Sequence, residues 1–111
     1  TTISGSSTLQ AGGQATFGGG VKLAIASKTT SYAMTASSDY IVTFSGSSLT
    51  GTLPTAVGNN GTAFIIKNLH TSSVYVTSSA STIDGSAVGI SIYGRYTSYT
   101  FVSDGTNWLI I

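Results

Sequence analysis

The sequence predicts an all-β protein: packed antiparallel sheets forming a sandwich or jelly-roll-like knob, carried on an N-terminal stalk rich in Gly, Ser and Thr. Three observations predict it. Apolar residues recur at every second position in short runs, which is the period of a half-buried strand. No stretch sustains a 3.6-residue period, so almost no helix is expected. Ser, Thr and Gly fill the surface role that Lys and Glu usually play, and together with Val, Ile, Tyr and Phe they favour strand and turn.

The elements follow in order. Residues 1–20, "TTISGSSTLQAGGQATFGGG", carry isolated apolar residues at Ile3, Leu9 and Phe17. Such a stretch cannot build a core alone. It is read as a stalk or linker, either flexible or buried against copies of itself, with the knob spanning residues 21–111. From Val21 the pattern changes, and Val21, Leu23 and Ile25 alternate with Lys22, Ala24 and Ala26 as in a half-buried strand. Tyr32 and Met34 suggest a second strand, and Tyr40, Val42 and Phe44 a third. Pro54 closes a fourth, because proline cannot donate to a ladder.

Gly58-Asn59-Asn60-Gly61 supplies a loop tolerant of left-handed backbone. Phe64, Ile65 and Ile66 then form an uninterrupted apolar run, as expected of a central strand covered on both faces. Further strands are expected at Val74 to Thr77 and at Ile90 to Tyr93, with Ile83-Asp84-Gly85 marking a turn between them. The last residues, "YTFVSDGTNWLII", read as a hairpin. A tight loop at Asp104-Gly105 would set Phe101 opposite Trp108. A wider loop over Asp104 to Asn107 would instead pair Val102 with Leu109. Either register makes Trp108 to Ile111 a structural strand.

Composition narrows the function. The chain has four Lys or Arg, three Asp, no Glu and a formal net charge of +1. That gives no footprint for DNA or RNA, whose recognition needs clustered cations, and no basic face for anionic lipid. With no cysteine, neither a disulfide framework nor a thiolate metal site is available, and oligomerisation becomes the expected supplement to a modest core. No apolar run approaches the length needed to span a bilayer, and "TTISGSST" has neither an initiator Met nor signal-peptide character. The start is read as a fragment cut from a longer chain, or as a processed terminus.

Catalysis is not expected. Asp39, Asp84 and Asp104 all stand in turn contexts, where the carboxylate caps its own backbone. His70 is the only imidazole and is read as a solvated loop residue rather than a metal ligand. "GSSLTG" and "GSAVG" do not fit a nucleophile elbow, and "FGGG" is too short to cradle phosphate. No catalytic residue, metal or cofactor is expected. The conspicuous feature is "IYGRYTSYTF". Tyr93, Arg95 and Tyr96 combine flat apolar faces with hydroxyls and one guanidinium, a set suited to stacking on sugar rings or to protein interfaces. Tyr99 and Phe101 share a face and are expected in the core. Asn59 and Asn60 are a second candidate ligand-binding pair, with amide donors and acceptors on an exposed loop.

From about Tyr32 to Ile111 the chain resembles a module that recurs in bacteriophage tail fibres, head fibres and related virion appendages. The features that carry the resemblance are "SYAMTASSDYIVTF", "TLPTAVGNNGTAFIIKN", "VYVTSSASTIDG" and "YTSYTFVSDGTNWLII". Upstream, "QATFGGGVKLA" is similar to the Gly-punctuated repeats of intertwined fibre shafts. The resemblance implies a homotrimeric, β-rich protein of the virion surface, outside the cell, that contacts other virion proteins and attaches to a host or decorates a capsid. Host-cell glycan is the expected ligand, and binding would be weak per site and strengthened by multiple copies. The alternatives are a purely structural fibre or decoration protein and, third, a glycan depolymerase.

Overall fold

Nearly every alternating run becomes a strand. The computed structural model describes Thr8 and residues 10–111. The strands are β1 (Ile25–Lys28), β2 (Tyr32–Ala33), β3 (Ile41–Phe44), β4 (Thr50–Leu53), β5 (Ala63–Asn68), β6 (Val74–Ser78), β7 (Ile90–Ile92), β8 (Ser98–Ser103) and β9 (Trp108–Ile110). There is no helix among the described residues. Two sheets form, a five-stranded one ordered β1-β3-β5-β8-β9 and a four-stranded one ordered β2-β4-β6-β7.

The sheets are mixed, which corrects the expected antiparallel arrangement. β1, β3 and β5 run parallel in one sheet, and β2, β4 and β6 run parallel in the other. The reason is the path. Through β6 the chain crosses to the opposite sheet after every strand, and it returns one place further along in the same direction. The connection between parallel neighbours is therefore a strand of the facing sheet, where α/β proteins use a helix. Only β6–β7 and β8–β9 pair antiparallel with their immediate successors. Gly, Ser and Asn serve a sheet-to-sheet corner as well as a hairpin, so the loops alone do not distinguish the two.

Alternation then builds the core. Val42 and Phe44 of β3, Phe64 and Ile66 of β5, Phe101 of β8 and Trp108 of β9 point inward and are fully buried. Leu53, Val74, Val76 and Ile92 meet them from the four-stranded sheet. Gly51 of β4 lets the sheets approach closely, since an added Cβ would lie 3.0 Å from the Phe44 ring and 3.3 Å from Met34 Cε. Tyr99 is half-buried against this core and meets Phe101 edge-on at 6.5 Å, as expected from their shared face.

Trp108 ties together segments distant in sequence. Its ring lies 5.5 Å from that of Phe64 and its Nε1 donates to the Pro54 carbonyl at 2.9 Å. Its backbone bonds the 82–84 segment on both sides, donating to Thr82 O and accepting from Asp84 N, each at 2.9 Å. Burying an indole with its N–H satisfied combines a large apolar area with no orphaned donor.

Outward-facing positions of the five-stranded sheet are apolar on one side of the face and polar on the other, where Ser27, Thr43, Lys67 and Ser98 stand in register. Ile25, Ile41 and Ile65 stand in register across β1, β3 and β5, and Val102 pairs with Leu109 across the last hairpin. Ile65 is half-buried, so the central strand is covered fully on one face only. Val21 and Leu23 precede β1 outside any strand and are 56% and 44% exposed. They are not the half-buried strand that their alternation suggests, because β3 offers ladder partners only from Ile41, which bonds back to Ala24. Of the expected stalk, residues 10–20 are exposed and form no strand, while Ile3 and Leu9 lie outside the described residues.

The two Asp-Gly dipeptides make different turns. At Ile83–Ser86 both central residues, Asp84 (φ +47°) and Gly85 (φ +80°), are left-handed, and the flanking residues exchange both hydrogen bonds, the pattern of a I′ turn. The final hairpin takes the wider of the two registers, with Val102 opposite Leu109 and Ser103 opposite Trp108. Its centre is Gly105-Thr106, with Gly105 at φ +94°, which places glycine first as a II′ turn requires. Asp104 fixes this choice, since its Oδ1 accepts from Thr106 N at 2.9 Å and Asn107 N at 2.8 Å.

Two predictions follow from the hairpin. Deleting Leu109 to Ile111 removes most of β9, including the core-packed Ile110. Loss of the Ile110 packing costs about 2–5 kcal/mol against a total of about 5–15 kcal/mol, and the loss of the β8–β9 ladder adds to it, so the truncated protein should melt at a markedly lower temperature; one that keeps its melting temperature would contradict the role given to β9. The backbone N–H groups of Asn107 and Thr106 hold the Asp104 carboxyl below its ordinary value of 3.8. A depressed folded-state pKa gives stability that is fully present above pH 3.8 and lost as pH falls below it. The Asp104→Asn variant should show a flatter fall in melting temperature on that acid limb, and an unchanged slope would refute the linkage.

Candidate functional site

The tyrosine segment forms the tight corner between β7 and β8. Ile92 ends β7 in the core, and the chain must then cross to the five-stranded sheet within a few residues. Gly94 (φ +83°) and Tyr96 (φ +71°) both take left-handed backbone, and Thr97 N closes the turn on Gly94 O at 3.3 Å. For a bulky aromatic residue this conformation costs on the order of 1–3 kcal/mol and persists only where the surroundings impose it. Tyr96 N donates to Asn68 O at 2.6 Å and Lys67 Nζ donates to Tyr96 O at 2.9 Å. The peptide is thus held on both sides.

The turn presents its side chains to solvent. Tyr93 and Tyr96 are 73% and 59% exposed, and Arg95 is exposed between them. The Arg95 guanidinium carbon stands 4.9 Å from the Tyr96 ring centroid. Its Nε donates to Leu69 O at 3.1 Å. Stacking and this one bond orient the guanidinium and leave its terminal nitrogens for another acceptor. The three residues singled out from the sequence therefore form one exposed cluster.

Asn59 and Asn60 do not join it. They lie at the opposite end of β5, about 17 Å away along the strand. Asn59 is half-buried and its Nδ2 donates to Thr55 O at 2.7 Å, so its amide is spent on its own loop. Asn60 is exposed and lies against Gly105 of the last hairpin.

What supports the cluster was not singled out in the sequence. Asn68, at the end of β5, is fully buried. Its Nδ2 faces three carbonyls, Ser72 O at 2.8 Å, Gly94 O at 3.2 Å and Ile92 O at 3.3 Å, while its Oδ1 accepts from His70 N at 2.8 Å. One amide thus joins the 69–72 loop to the turn that carries Tyr93 and Arg95. The signal was an asparagine at a strand end followed by "LHTSS", the setting of an Asx turn. His70 is half-buried, and its Nδ1 accepts from Ser72 N at 3.0 Å.

The three carboxylates are all engaged by structure. Asp39 Oδ2 accepts from Thr35 N at 2.8 Å and from Tyr32 Oη at 2.9 Å, which raises the Tyr32 phenol above its ordinary value. Asp104 caps its own turn, as expected. Asp84 departs from that expectation: its Oδ1 accepts from Ile110 N at 3.0 Å, pinning β9 rather than its own loop. No group of three or more His, Cys, Asp or Glu suited to a metal occurs among the described residues. A pocket of about 40 Å³ between residues 24–26 and 38–41 is far smaller than small-molecule pockets, which measure about 300–1,000 Å³. No helix among the described residues is long and apolar enough to cross a membrane.

The Asn68 arrangement gives a sharp test. Asn68→Asp replaces the donor facing three carbonyls with a second acceptor, and an unsatisfied buried charge costs several kcal/mol. The variant should unfold or lose most of its thermal stability at neutral pH. A variant with the melting temperature of the parent would show that the amide does not hold the turn. In comparisons with known proteins, no family model, curated protein or solved structure matches the chain.

Proposed function

We propose that this chain is a non-enzymatic module of a bacteriophage virion fibre that presents a glycan-binding surface on a homotrimer outside the cell. The observation that carries the reading is the β7–β8 turn. There, an exposed tyrosine is held in left-handed backbone, where glycine would cost less, with a guanidinium seated on its ring and a second exposed tyrosine three residues away. Strain of this kind at a solvent-exposed side chain points to selection for the side chain itself. Tyrosine rings offer stacking faces to sugars, hydroxyls offer donors and acceptors, and the free edge of Arg95 suits a carboxylate or hydroxyl pair. The sequence features shared with phage fibre modules supply the biological setting. The engagement of all three carboxylates with structural donors supports binding without hydrolysis.

A purely structural fibre role is the second reading, favoured by the apolar half of the outer face of the five-stranded sheet. Tyr96→Gly separates the two. Glycine relieves the left-handed strain, so the variant should melt at or above the parental temperature. If the turn is a site, binding on a glycan array and attachment to host cells should fall about fivefold or more, taking one aromatic stacking contact as about 1–3 kcal/mol. Unchanged attachment would reject the site, and release of reducing sugar from host polysaccharide would reject the non-enzymatic reading.

A further inference from the structure

The outer face of the five-stranded sheet is apolar along one half, while the row Ser27, Thr43, Lys67 and Ser98 makes the other half polar. Ile25, Ile41 and Ile65 form one row across β1, β3 and β5, and Ile111 extends it beyond β8 through its bond to Thr100 O. Val102 and Leu109 form a second row beside it. The charged residue on this face within β1, β3, β5, β8 and β9 is Lys67, at one end, and its Nζ is bonded to Tyr96 O. Outer positions of a solvated antiparallel or mixed sheet normally read polar. Here Ile25 is 66% exposed, Ile111 79% and Leu109 38%.

We infer that this face packs against other copies of the same chain and is the principal interface of the assembly; the inference rests on the self-association proposed above. Two features select that occupant. The first is charge. The apolar half carries no charge, and the one cation of the polar row is engaged within its own chain, so the face offers nothing to a charged partner and is complementary to an identical uncharged apolar surface. The second is area. Five strands at about 4.8 Å spacing and about 20 Å of strand length give at most roughly 480 Å² of flat face, against about 800 Å² per partner in a stable interface.

Each copy brings further apolar surface with it. Phe17, Val21 and Leu23 lead directly into β1, are 62%, 56% and 44% exposed, and form no strand pairing in their own chain. Laid along the same face of a neighbour, they would extend the apolar contact past β1. The turn carrying Tyr93, Arg95 and Tyr96 lies at the polar end of this face, where Lys67 bonds Tyr96 O.

Single thiols test this directly, since the chain has no cysteine. Ile25→Cys places a thiol on the face, and Val88→Cys places one in the connection before β7, with native exposures of 66% and 70% in the isolated chain. In the assembled protein the first should react with a maleimide reagent about tenfold more slowly than the second, because thiol reactivity follows access. Equal rates in a protein that light scattering finds to be a trimer would overturn the interface and leave the trimer standing. A parent chain that scatters as a monomer would overturn both. In parallel, Ile65→Asp should reduce the three-chain mass to that of one chain while keeping the near-ultraviolet signal of the buried Trp108. A folded trimeric Ile65→Asp protein would also overturn the inference, and if the variant fails to fold the thiol pair still decides.

Discussion

A strand cannot lay a parallel neighbour beside itself through a tight turn, and most of this structure is a consequence of that restriction. To place β3 beside β1, and β5 beside β3, the chain must first travel across the core and back. Each crossing carries backbone over the edge of the core, where carbonyls leave the ladder and need other donors. The donors come from side chains remote in sequence. Trp108 Nε1 serves Pro54 O, Ser103 Oγ serves Ala56 O at 2.8 Å, and Asn68 Nδ2 serves Ser72, Ile92 and Gly94. No buried side-chain polar atom among the described residues lacks a partner.

The same restriction explains where chemistry is displayed. A corner between sheets must turn sharply over a satisfied interior, and the β7–β8 corner does so with two successive supports. Asn68 gathers the carbonyls beneath it, and Lys67 and Leu69 hold Tyr96 and Arg95 above it. Adjacent residues of β5 and its following loop thus act on opposite sides of one turn. The side chains that project are set by backbone geometry, which suits recognition because little ordering entropy remains to be lost on binding.

Much of this was legible in the sequence, and the failures have physical causes. Alternation at Tyr40, Val42 and Phe44 located β3, because one buried face enforces it, and the unbroken apolar run Phe64–Ile66 located β5 although only one of its faces is fully covered. Tyr93, Arg95 and Tyr96 stood out for their stacking faces, hydroxyls and guanidinium, but their shared exposure follows from the turn at Gly94 and not from the residue types. Strand direction was not, since alternation carries no information about which neighbour a strand will choose. The Val21–Leu23 alternation predicted burial that one chain does not provide, because periodicity reports a face and not what covers it. Asn68 escaped notice for a different reason: a buried amide is recognised by the carbonyls around it, and those come from residues 24 and 26 positions further along.

The polar contacts that close this fold pair few charges with one another: Asp39, Asp84, Asp104, Lys67 and Arg95 bond to backbone or hydroxyl groups. Amides, hydroxyls and an indole N–H satisfy the corner carbonyls, and the chain has only seven charged residues with which to form ion pairs. Neutral dipoles at hydrogen-bond distance are insensitive to the ionic atmosphere, whereas exposed charge pairs weaken as the Debye length shortens from about 30 Å in dilute solution to about 3 Å at molar salt. Fresh water and brine therefore present this molecule with nearly the same problem, and moving between them leaves its architecture electrostatically indifferent.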